Sequence, residues 1–343
     1  MQPLPNDHPA VPRPKIGVLL INLGTPDALD YWSMRRYLGE FLSDTRVVEL
    51  PKILWQLILQ GPILTFRPKK SAAAYRAIWN NELDESPLRT ITREQTEAIA
   101  ERISGQDVRV EFAMRYGNPS IPSMIEKLFA DGCWKILCVP LYPQYASSTT
   151  GSVVDKIGDT LKGMRWQPTI RVSPPFYDDP VYVAQLAASV RRQLAALEHE
   201  PEILVASFHG VPKEYLLKGD PYHCMCQKSA RLLREALDWP EDRFRVAFQS
   251  RFGPKEWLQP YADKLIEELG HQGIKRVAVV SPAFISDCVE TLEEIAMGLQ
   301  ETFEEAGGHE LIALECLNAS DEGIAVLEHI VHRELRGWLP ENA

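Results

Sequence analysis

The sequence predicts an α/β protein that consists of two parallel-sheet domains. Short β-branched apolar runs alternate with helix-forming segments along most of the 343 residues. This alternation is typical of βαβ units, in which helices cover both faces of a parallel sheet. The same order of motifs occurs twice, and a turn-rich stretch separates the two copies. The length is sufficient for two domains of ordinary size.

The first copy begins with the apolar run 16–26, in which a strand is followed by Gly-x-Pro. A second strand at 108–117 ends in Arg-Tyr-Gly. A helix is predicted at 121–131, and Gly132 separates it from a third strand at 135–140. The spacing of these segments predicts right-handed crossovers between parallel strands.

The second copy repeats this order. It contains a strand with Gly-x-Pro at 203–212, a strand with Arg-Phe-Gly at 244–253, a helix at 258–269, Gly273 and a strand at 275–282. The repetition indicates that one plan is used twice. Because the match is short, a chance similarity between α/β sequences remains the alternative.

The turn-rich stretch 173–180 predicts the boundary between the copies, since it contains three prolines and two aspartates. The sequence therefore predicts an N-terminal domain at 14–172 and a C-terminal domain at 173–318. A closing helix and tail follow at 319–343, with an amphipathic pattern at 322–335 whose docking partner the sequence leaves open.

Composition limits the classes of function. With 47 acidic and 37 basic residues the net charge is −10, and without a long basic run a nucleic-acid partner is not expected. The first fifteen residues have no apolar core, and six cysteines do not make a disulfide scaffold, so we expect a reducing, cytoplasmic location. The most apolar stretch, 53–66, is too short to span a bilayer. Whether the chain is monomeric or dimeric stays open.

His209 and Glu290 are the strongest candidates for chemistry. Each follows an apolar, β-branched run, and loops beyond the carboxyl ends of parallel strands form the sites of such folds. We therefore expect both side chains to face one crevice, where they offer a base and a hard ligand. Gly210 fits a tight turn beside a ligand. The alternative is that His209 only packs.

An acidic row leads into the helix predicted after residue 287. Glu290 and Glu294 are four residues apart, so an α-helix places them on one face. Together with Asp287 they form a predicted path for a divalent cation, which prefers oxygen ligands. The alternatives are that Asp287 only caps the helix and that the glutamates form an ordinary surface pair.

Two other polar clusters favour structural roles. The hydroxyls at 147–150 resemble a phosphate cradle, but no Gly-rich Lys-Ser/Thr motif accompanies them, and we expect them to cap a helix. The sequence His223-Cys224-Met225-Cys226 has no second cysteine pair, so a structural zinc site is not expected there.

Eight short motifs together resemble those of the ferrochelatases, which insert ferrous iron into protoporphyrin IX to make protohaem. They occur in the family's order: Asn-Leu-Gly-Thr-Pro at 22–26, Glu-Ser-Pro-Leu at 85–88, Arg-Tyr-Gly-Asn-Pro at 115–119, Tyr-Pro-Gln-Tyr at 142–145 with Ser-Thr-Thr-Gly-Ser at 148–152, Ser-Phe-His-Gly-Val-Pro at 207–212, Gly-Asp-Pro-Tyr at 219–222, Gln-Ser-Arg-Phe-Gly-Pro at 249–254 with Trp-Leu at 257–258, and Pro-Ala-Phe-Ile-Ser-Asp-Cys-Val-Glu-Thr-Leu-Glu-Glu at 282–294. Any one of them is weak, but the set is specific.

The resemblance implies two flavodoxin-like, Rossmann-like domains with a porphyrin cleft between them. In the family pattern His209 takes pyrrole protons or binds the metal, Glu290 is the metal-site glutamate, and Asp287 and Glu294 continue the acidic path. The positions that match cleft residues are Leu23, Tyr75, Ser86, Arg115, Tyr116, Tyr142, Trp257 and Phe284.

The sequence departs from some members of the family. Those members hold a [2Fe–2S] cluster with a cysteine in the Tyr-Pro-Gln-Tyr loop and three more in a C-terminal tail. Here the loop position is Ser147, and the four residues after Leu339 contain no cysteine. We therefore expect no cluster and no other cofactor, since Fe²⁺ is a substrate. Methionine or tyrosine occupies the position of Leu23 in other members, which leaves the contact of Leu23 with the macrocycle open.

Two rival functions remain at this point. One is a related class II-type chelatase that acts on coproporphyrin or inserts cobalt. The other is a non-enzymatic two-domain tetrapyrrole-binding protein, which usually carries an export signal. A peripheral membrane contact through residues 50–70, on the inner face of the membrane, is a further expectation, with packing beneath the cleft lip as its alternative.

Overall fold

The computed structural model describes residues 14–104 and 107–339. Its strands form two parallel sheets, each with helices on both faces. In chain order the strands are β1 (Lys15–Gly24), β2 (Val108–Tyr116), β3 (Cys133–Pro140), β4 (Thr169–Val172), β5 (Ile203–His209), β6 (Phe244–Gln249), β7 (Arg276–Val280) and β8 (Glu310–Ala313). The strand orders are β2-β1-β3-β4 and β6-β5-β7-β8, which confirms the predicted pair of parallel sheets.

The central strands of each sheet are buried on both faces. In β1 four consecutive residues, 18–21, are inaccessible to solvent, as expected of an apolar run in a sheet covered on both sides. Burial of each such side chain contributes about 1.5–3 kcal/mol. These strands set the direction of the sheets and bring their carboxyl ends to one edge.

The helices are α1 (Tyr31–Ser43), α2 (Lys52–Ile58), α3 (Leu64–Ile78), α4 (Pro87–Arg102), α5 (Ile121–Ala130), α6 (Ser152–Gly163), α7 (Pro180–Ala195), α8 (Lys213–Leu217), α9 (Tyr222–Leu237), α10 (Ala262–His271), α11 (Gln300–Glu305) and α12 (Asp321–Leu335). Three further segments are π-helical: Leu59–Ile63, Ser147–Gly151 and Glu290–Leu299. Side chains such as Ser86 and Asp179 accept hydrogen bonds from the first turns of α4 and α7 and fix where these helices begin.

The two sheets share one apolar core. Val18 and Leu20 of β1 lie in the same cluster of buried side chains as Leu204 and Ala206 of β5. Helices α4, α7, α9 and α12 contribute to this shared layer, and α12 packs on α7 and α4. The outer face of the first sheet is covered by α5 and α6, and that of the second by α10, the segment Glu290–Leu299 and α11.

Three local features differ from the sequence prediction. Strands β4 and β8 were not predicted, because four residues at a sheet edge are too few to show a pattern. The helix expected from 258 begins at Ala262, since Pro260 disfavours helical geometry in the residue before it. The segment that begins at Glu290 is π-helical rather than α-helical.

A helical lip follows β1. Helices α1 to α3 pack around buried Met34, Leu59 and Tyr75, and this cluster includes Tyr116 at the end of β2. Among the described residues, no helix is both long enough and apolar enough to cross a bilayer.

Candidate functional site

A cleft of about 410 Å³ lies at the carboxyl ends of the strands, with one wall from each half of the chain. Its volume is in the range of sites for small molecules and cofactors. The residues of the first half that line it include Asn22, Leu23, Arg67, Leu88 and Tyr142, and those of the second half include His209, Trp257, Phe284, Glu290 and Glu294. The crevice predicted from His209 and Glu290 is therefore formed by both halves.

His209 is the last residue of β5 and is held on two sides. Its main chain pairs with Gln249 of β6, and its carbonyl accepts a hydrogen bond of 2.9 Å from the Tyr222 hydroxyl. Its Nδ1 lies 2.6 Å from the carbonyl oxygen of Gly210. Because a carbonyl only accepts, Nδ1 carries the hydrogen, and Nε2 of the neutral ring keeps its lone pair. The imidazole can therefore act as a base through Nε2.

Gly210 permits a close approach of the chain to β6 and to Trp257. Its N–H donates to the Gln249 carbonyl at 2.7 Å, and a Cβ at this position would lie 2.7 Å from the same oxygen and 3.2 Å from the Trp257 ring. Any other residue would push β6 and Trp257 away from the end of β5.

Glu290 is the first residue of the π-helical segment, and its main chain is fixed from the sheet. The Gln249 amide donates to the Glu290 carbonyl at 3.0 Å, and the buried Ser207 hydroxyl orients that amide through a hydrogen bond of 2.6 Å. A π-helix has i→i+5 hydrogen bonds and is frequent at functional sites. Glu290, Glu293 and Glu294 of this segment all line the cleft.

Glu294 sits deeper than a surface glutamate. Burial raises the pKa of its carboxyl above the ordinary 4.5, and the Glu290 charge adds to this effect. A hydrogen bond donated by the Ser250 hydroxyl and the proximity of His209 oppose the increase. Glu294 therefore lies close enough to His209 and Glu290 for both to affect its pKa.

Asp287 does not join this row. It is buried, and its carboxylate accepts hydrogen bonds from the Thr291 hydroxyl at 2.7 Å and the Asn318 amide at 2.6 Å. It is not one of the described residues that line the cleft. The structure thus uses Asp287 to anchor the turn before Glu290, close to the capping alternative, and does not place it on the predicted cation path.

Of the eight positions that the family resemblance matches to cleft residues, four line the cleft: Leu23, Tyr142, Trp257 and Phe284. Tyr75 and Ser86 line a smaller adjoining pocket of about 10 Å³, which also touches Leu23 and Glu290. They stand behind the cleft wall rather than in it.

Arg115 and Tyr116 were expected to line or support the cleft. Neither lines it, and both support the loop after α1 from behind. The Arg115 guanidinium pairs with Asp44 at 2.5 Å, and the Tyr116 hydroxyl donates to the same carboxylate at 2.8 Å. Burial alone would raise the pKa of Asp44, but hydrogen bonds from Ser152 and Tyr116 and the Arg115 charge lower it. This network fixes the loop after α1, whose Val47 lines the cleft.

Sequence reasoning did not identify Arg67 as a cleft residue. It lies exposed at the cleft mouth, with its guanidinium carbon 5.6 Å from the centre of the Phe252 ring. Although the Arg67 side chain is exposed, neighbouring protein atoms partly desolvate the guanidinium and lower its pKa. Within residues 14–104 and 107–339 no carboxylate pairs with it. A single cation without an acidic partner at a cleft mouth suits an anionic group of a ligand, but one arginine gives no sequence pattern.

No group of three or more His, Cys, Asp or Glu side chains in the described parts of the chain is arranged to hold a metal ion. Within the 147–150 loop, Thr149 makes the expected capping bond, since the Ala146 N–H donates to Thr149 Oγ1 at 3.0 Å. The Ser147 hydroxyl instead accepts from the Arg46 guanidinium at 3.2 Å, and Ser148 and Thr149 line the cleft. Cys224 is exposed and Cys226 is buried.

The sequence profile of the ferrochelatases matches residues 15–335. The chain belongs to the ferrochelatase family. Relatives named ferrochelatase are 58% identical in Rhizobium meliloti (strain 1021), covering 97% of this chain and 98% of theirs, and 57% identical in Agrobacterium fabrum (strain C58 / ATCC 33970), covering 98% of both. As a ferrochelatase-family member, the chain is an enzyme, a metal-chelating lyase of haem biosynthesis.

Solved structures with a similar fold include SirB from Bacillus subtilis with Fe³⁺, at a TM-score of 0.57 and 14% identity over 94% of this chain and 97% of that one. The sirohydrochlorin chelatase SirB from Bacillus subtilis subspecies spizizenii in complex with cobalt gives a TM-score of 0.51 and 11% identity at the same coverage. At this identity the likeness extends to the fold alone, the two parallel sheets described above.

Proposed function

We propose that this ferrochelatase-family enzyme inserts Fe²⁺ into protoporphyrin IX and releases two protons, forming protohaem. The observation that carries the proposal is the position of His209 and Glu290. Both lie at the carboxyl edge of the second sheet and face a cleft whose opposite wall is largely apolar. An apolar wall can pack against a flat macrocycle. The wall that carries His209, Glu290 and Glu294 can accept protons and bind a metal ion.

The physical problem in this reaction is access to the pyrrole nitrogens. In a flat porphyrin the lone pairs lie in the ring plane, and two N–H bonds point inward. Bending the ring exposes the nitrogens, and binding energy from the rest of the ring can supply a few kcal/mol of strain. Leu23, Tyr142 and Trp257 project from elements of both halves that share one core, so they form walls rigid enough to hold a bent ring.

The two protons need an acceptor near neutral pH. Nε2 of His209 is available for this role because Nδ1 is engaged by the Gly210 carbonyl. Glu290 and Glu294 supply hard oxygen atoms that can replace water around an incoming divalent ion. Since several divalent metals accept nitrogen and oxygen ligands, we expect Zn²⁺ and Co²⁺ to be inserted as well as Fe²⁺ in vitro.

Arg67 supports a tetrapyrrole with carboxylate side chains. Its guanidinium, which forms no ion pair with a carboxylate of the described residues, can bind a propionate while the ring lies against the apolar wall. The same argument applies to coproporphyrin, which carries four propionates, so substrate choice must be measured.

Absorbance of the metalloporphyrin tests the proposal. Purified protein is incubated anaerobically with Fe²⁺, or aerobically with Zn²⁺, and with either protoporphyrin IX or coproporphyrin. We expect the metalloporphyrin spectrum to develop faster with protoporphyrin IX. Faster insertion into coproporphyrin would replace the proposed substrate, and binding without insertion of any metal would leave the rival binding protein.

We also propose that the helical lip contacts an anionic membrane surface, from which the poorly soluble porphyrin is taken up. Ile53, Leu57 and Phe66 expose 83%, 71% and 74% of their surface, and Lys69 and Lys70 follow on α3. Basic residues near such a surface contribute about 1 kcal/mol each. Other apolar residues of this stretch pack inward, as in the alternative interpretation: Leu59 and Leu64 are buried, and Trp55 donates to the Leu42 carbonyl at 2.6 Å.

Flotation with anionic liposomes tests the membrane contact. Leu57→Glu/Phe66→Glu and Lys69→Glu/Lys70→Glu should each float less than the wild type. Trp166→Glu is the matched control, because Trp166 is an exposed apolar residue before β4, at the opposite edge of the first sheet. Equal flotation of all four proteins, or none by the wild type, would reject the contact.

A further inference from the structure

A buried side chain of the first half reaches the turn that precedes Glu290 in the second half. Gln95 belongs to α4 of the first half and is inaccessible to solvent. Its Nε2 donates to the Asn318 carbonyl at 2.9 Å, and its Oε1 accepts from the Ser286 hydroxyl at 3.2 Å. Both partners belong to the second half.

These partners hold the turn that leads to Glu290. The Asn318 amide donates to the Asp287 carboxylate at 2.6 Å, and its Oδ1 accepts from the Asp287 N–H at 2.8 Å. Asp287 in turn accepts from the Thr291 hydroxyl, one residue beyond Glu290, at 2.7 Å. Glu290 is therefore enclosed between residues that belong to one hydrogen-bonded network.

Helix α4 is itself fixed to the first wall of the cleft. Leu88, two turns before Gln95, lines the cleft. Thr92 accepts a hydrogen bond of 3.0 Å from the Asn22 amide at the end of β1. Helix α4 thus contributes to the apolar wall through Leu88 and contacts the turn before Glu290 through Gln95.

We propose that Gln95 is a positioning residue. It fixes the position of the turn around Glu290 relative to the apolar wall of the cleft, against which the porphyrin would lie. Metal transfer requires the Glu290 carboxylate to be at a defined distance and angle from the porphyrin plane. Small displacements of a reacting group lower the reaction rate. The side chain of Gln95 fixes this relation because its amide is the hydrogen-bonded link between α4 and the turn. The inference rests on the proposed role of Glu290 in metal insertion.

The test is Gln95→Met, which keeps length and apolar volume but removes both hydrogen bonds. Steady-state kinetics are measured separately for Zn²⁺ and protoporphyrin IX, and porphyrin affinity is measured by fluorescence titration. We expect kcat/KM for the metal to fall about tenfold, while the porphyrin Kd changes less than about twofold. Amide hydrogen exchange at 286–292 should become faster. Ser286→Ala, which removes one of the two bonds, should show a smaller change of the same kind.

Gln193→Met is the matched control. The Gln193 amide on α7 also joins two separate segments, because it donates to the Glu315 carbonyl at 3.1 Å and accepts from the Glu315 N–H at 2.8 Å. It donates as well to the Ser189 hydroxyl at 3.2 Å, and both partner residues lie in the second half and outside the cleft lining. This variant loses the same kind of bonds without changing the relation between the walls. Its metal kinetics should equal those of the wild type.

Each outcome is decisive for one of the two proposals. A wild type that inserts no metal rejects the proposed function. An active wild type with equal metal kinetics in Gln95→Met and Gln193→Met overturns the positioning role. A parallel loss of porphyrin affinity in Gln95→Met would indicate general loosening and would also overturn it. If Gln95→Met does not fold, Gln95→Glu, which keeps the acceptor for Ser286 but not the donor for Asn318, decides by the same criteria.

Discussion

The two halves of the chain have the same strand order and very different functional edges. β1 lies between β2 and β3 in the first sheet, and β5 lies between β6 and β7 in the second. A π-helical segment follows β3 in the first half and β7 in the second. In the first half that segment, Ser147–Gly151, carries hydroxyls. In the second half, Glu290–Leu299 carries glutamates that line the cleft. The comparison shows that the scaffold places residues at an edge, whereas the residues placed there determine the chemistry.

The ends of the first strands differ in the same way. Strand β1 ends in Gly24, after Leu23, which lines the cleft, whereas β5 ends in His209. The first half therefore supplies shape and apolar surface, and the second half supplies groups that gain and lose protons. Substitutions on the second wall should reduce turnover while binding remains, and the following predictions test this division.

The largest effect is expected from His209→Ala. Removal of the base should reduce metal insertion by about 10²- to 10⁴-fold, while porphyrin still binds, because the apolar wall is unchanged. Stopped-flow absorbance gives the rate and fluorescence quenching gives the affinity. His223→Ala is the control, since that ring stacks on Phe248 at 5.9 Å between centroids. Turnover near that of the wild type in His209→Ala would refute the assignment of the base.

Glu290→Gln should have the next largest effect, about 10²-fold on kcat/KM for the metal. Glu293→Gln should reduce it less than about tenfold, although Glu293 also lines the cleft. Glu301→Gln, on the exposed side of α11, gives the baseline. Equal losses in the first two variants would mean that neither side chain is a specific ligand.

The raised pKa of Glu294 should make both the stability of the protein and its affinity for the metal depend on pH. Because burial raises its pKa above 4.5, its carboxyl holds a proton over a range in which an exposed glutamate is already ionised. Over that range Glu294 binds more protons in the folded state than in the unfolded state, so its own contribution to the stability of the wild type falls as pH rises from 4.5 through the raised pKa. The stability of Glu294→Gln relative to the wild type should rise over that range and level off above it.

Urea unfolding of both proteins between pH 4.5 and pH 8, at steps of about half a unit, measures this difference. In the wild type the KM for Zn²⁺ should fall over the same range, since a metal binds the ionised carboxylate. A constant difference in stability across the range would show that Glu294 titrates as an exposed glutamate.

The main strands and the main site residues could be predicted because their signals are local. A β-branched run followed by histidine or by an acidic helix start is readable at His209 and at Glu290. Edge strands of four residues and π-helical turns depend on tertiary contacts, so nothing in the sequence near Thr169–Val172 or Glu290–Leu299 indicated them.

Partners distant in sequence also escaped prediction. Arg115 and Tyr116 matched the family motif, but their carboxylate partner, Asp44, lies 71 and 72 positions away. Asp287 likewise looked like a cleft carboxylate until the structure placed Asn318 against it. Sequence spacing places residues on an element, whereas the direction of a buried polar group depends on which partner the fold brings to it.

The smallest effect is expected from Cys224→Ser/Cys226→Ser. In ferrochelatases that hold a [2Fe–2S] cluster, one ligand comes from the loop that here contains Ser147. In this chain the same region joins the halves by hydrogen bonds: the Ser147 N–H donates to the Asp220 carboxylate at 2.7 Å, and the Tyr145 N–H donates to Met225 Sδ at 3.3 Å.

Because these bonds involve neither thiol, activity of the double variant should equal that of the wild type. Its stability should fall by about 1–3 kcal/mol, since Cys226 is fully buried and a hydroxyl is costly there unless it is hydrogen-bonded. Cys224→Ser alone, at an exposed position, should change neither quantity. Anaerobic purification followed by visible spectra and iron analysis completes the test. A charge-transfer absorption in the wild type that the double substitution removes would show that a cluster, and not only hydrogen bonds, joins the two halves.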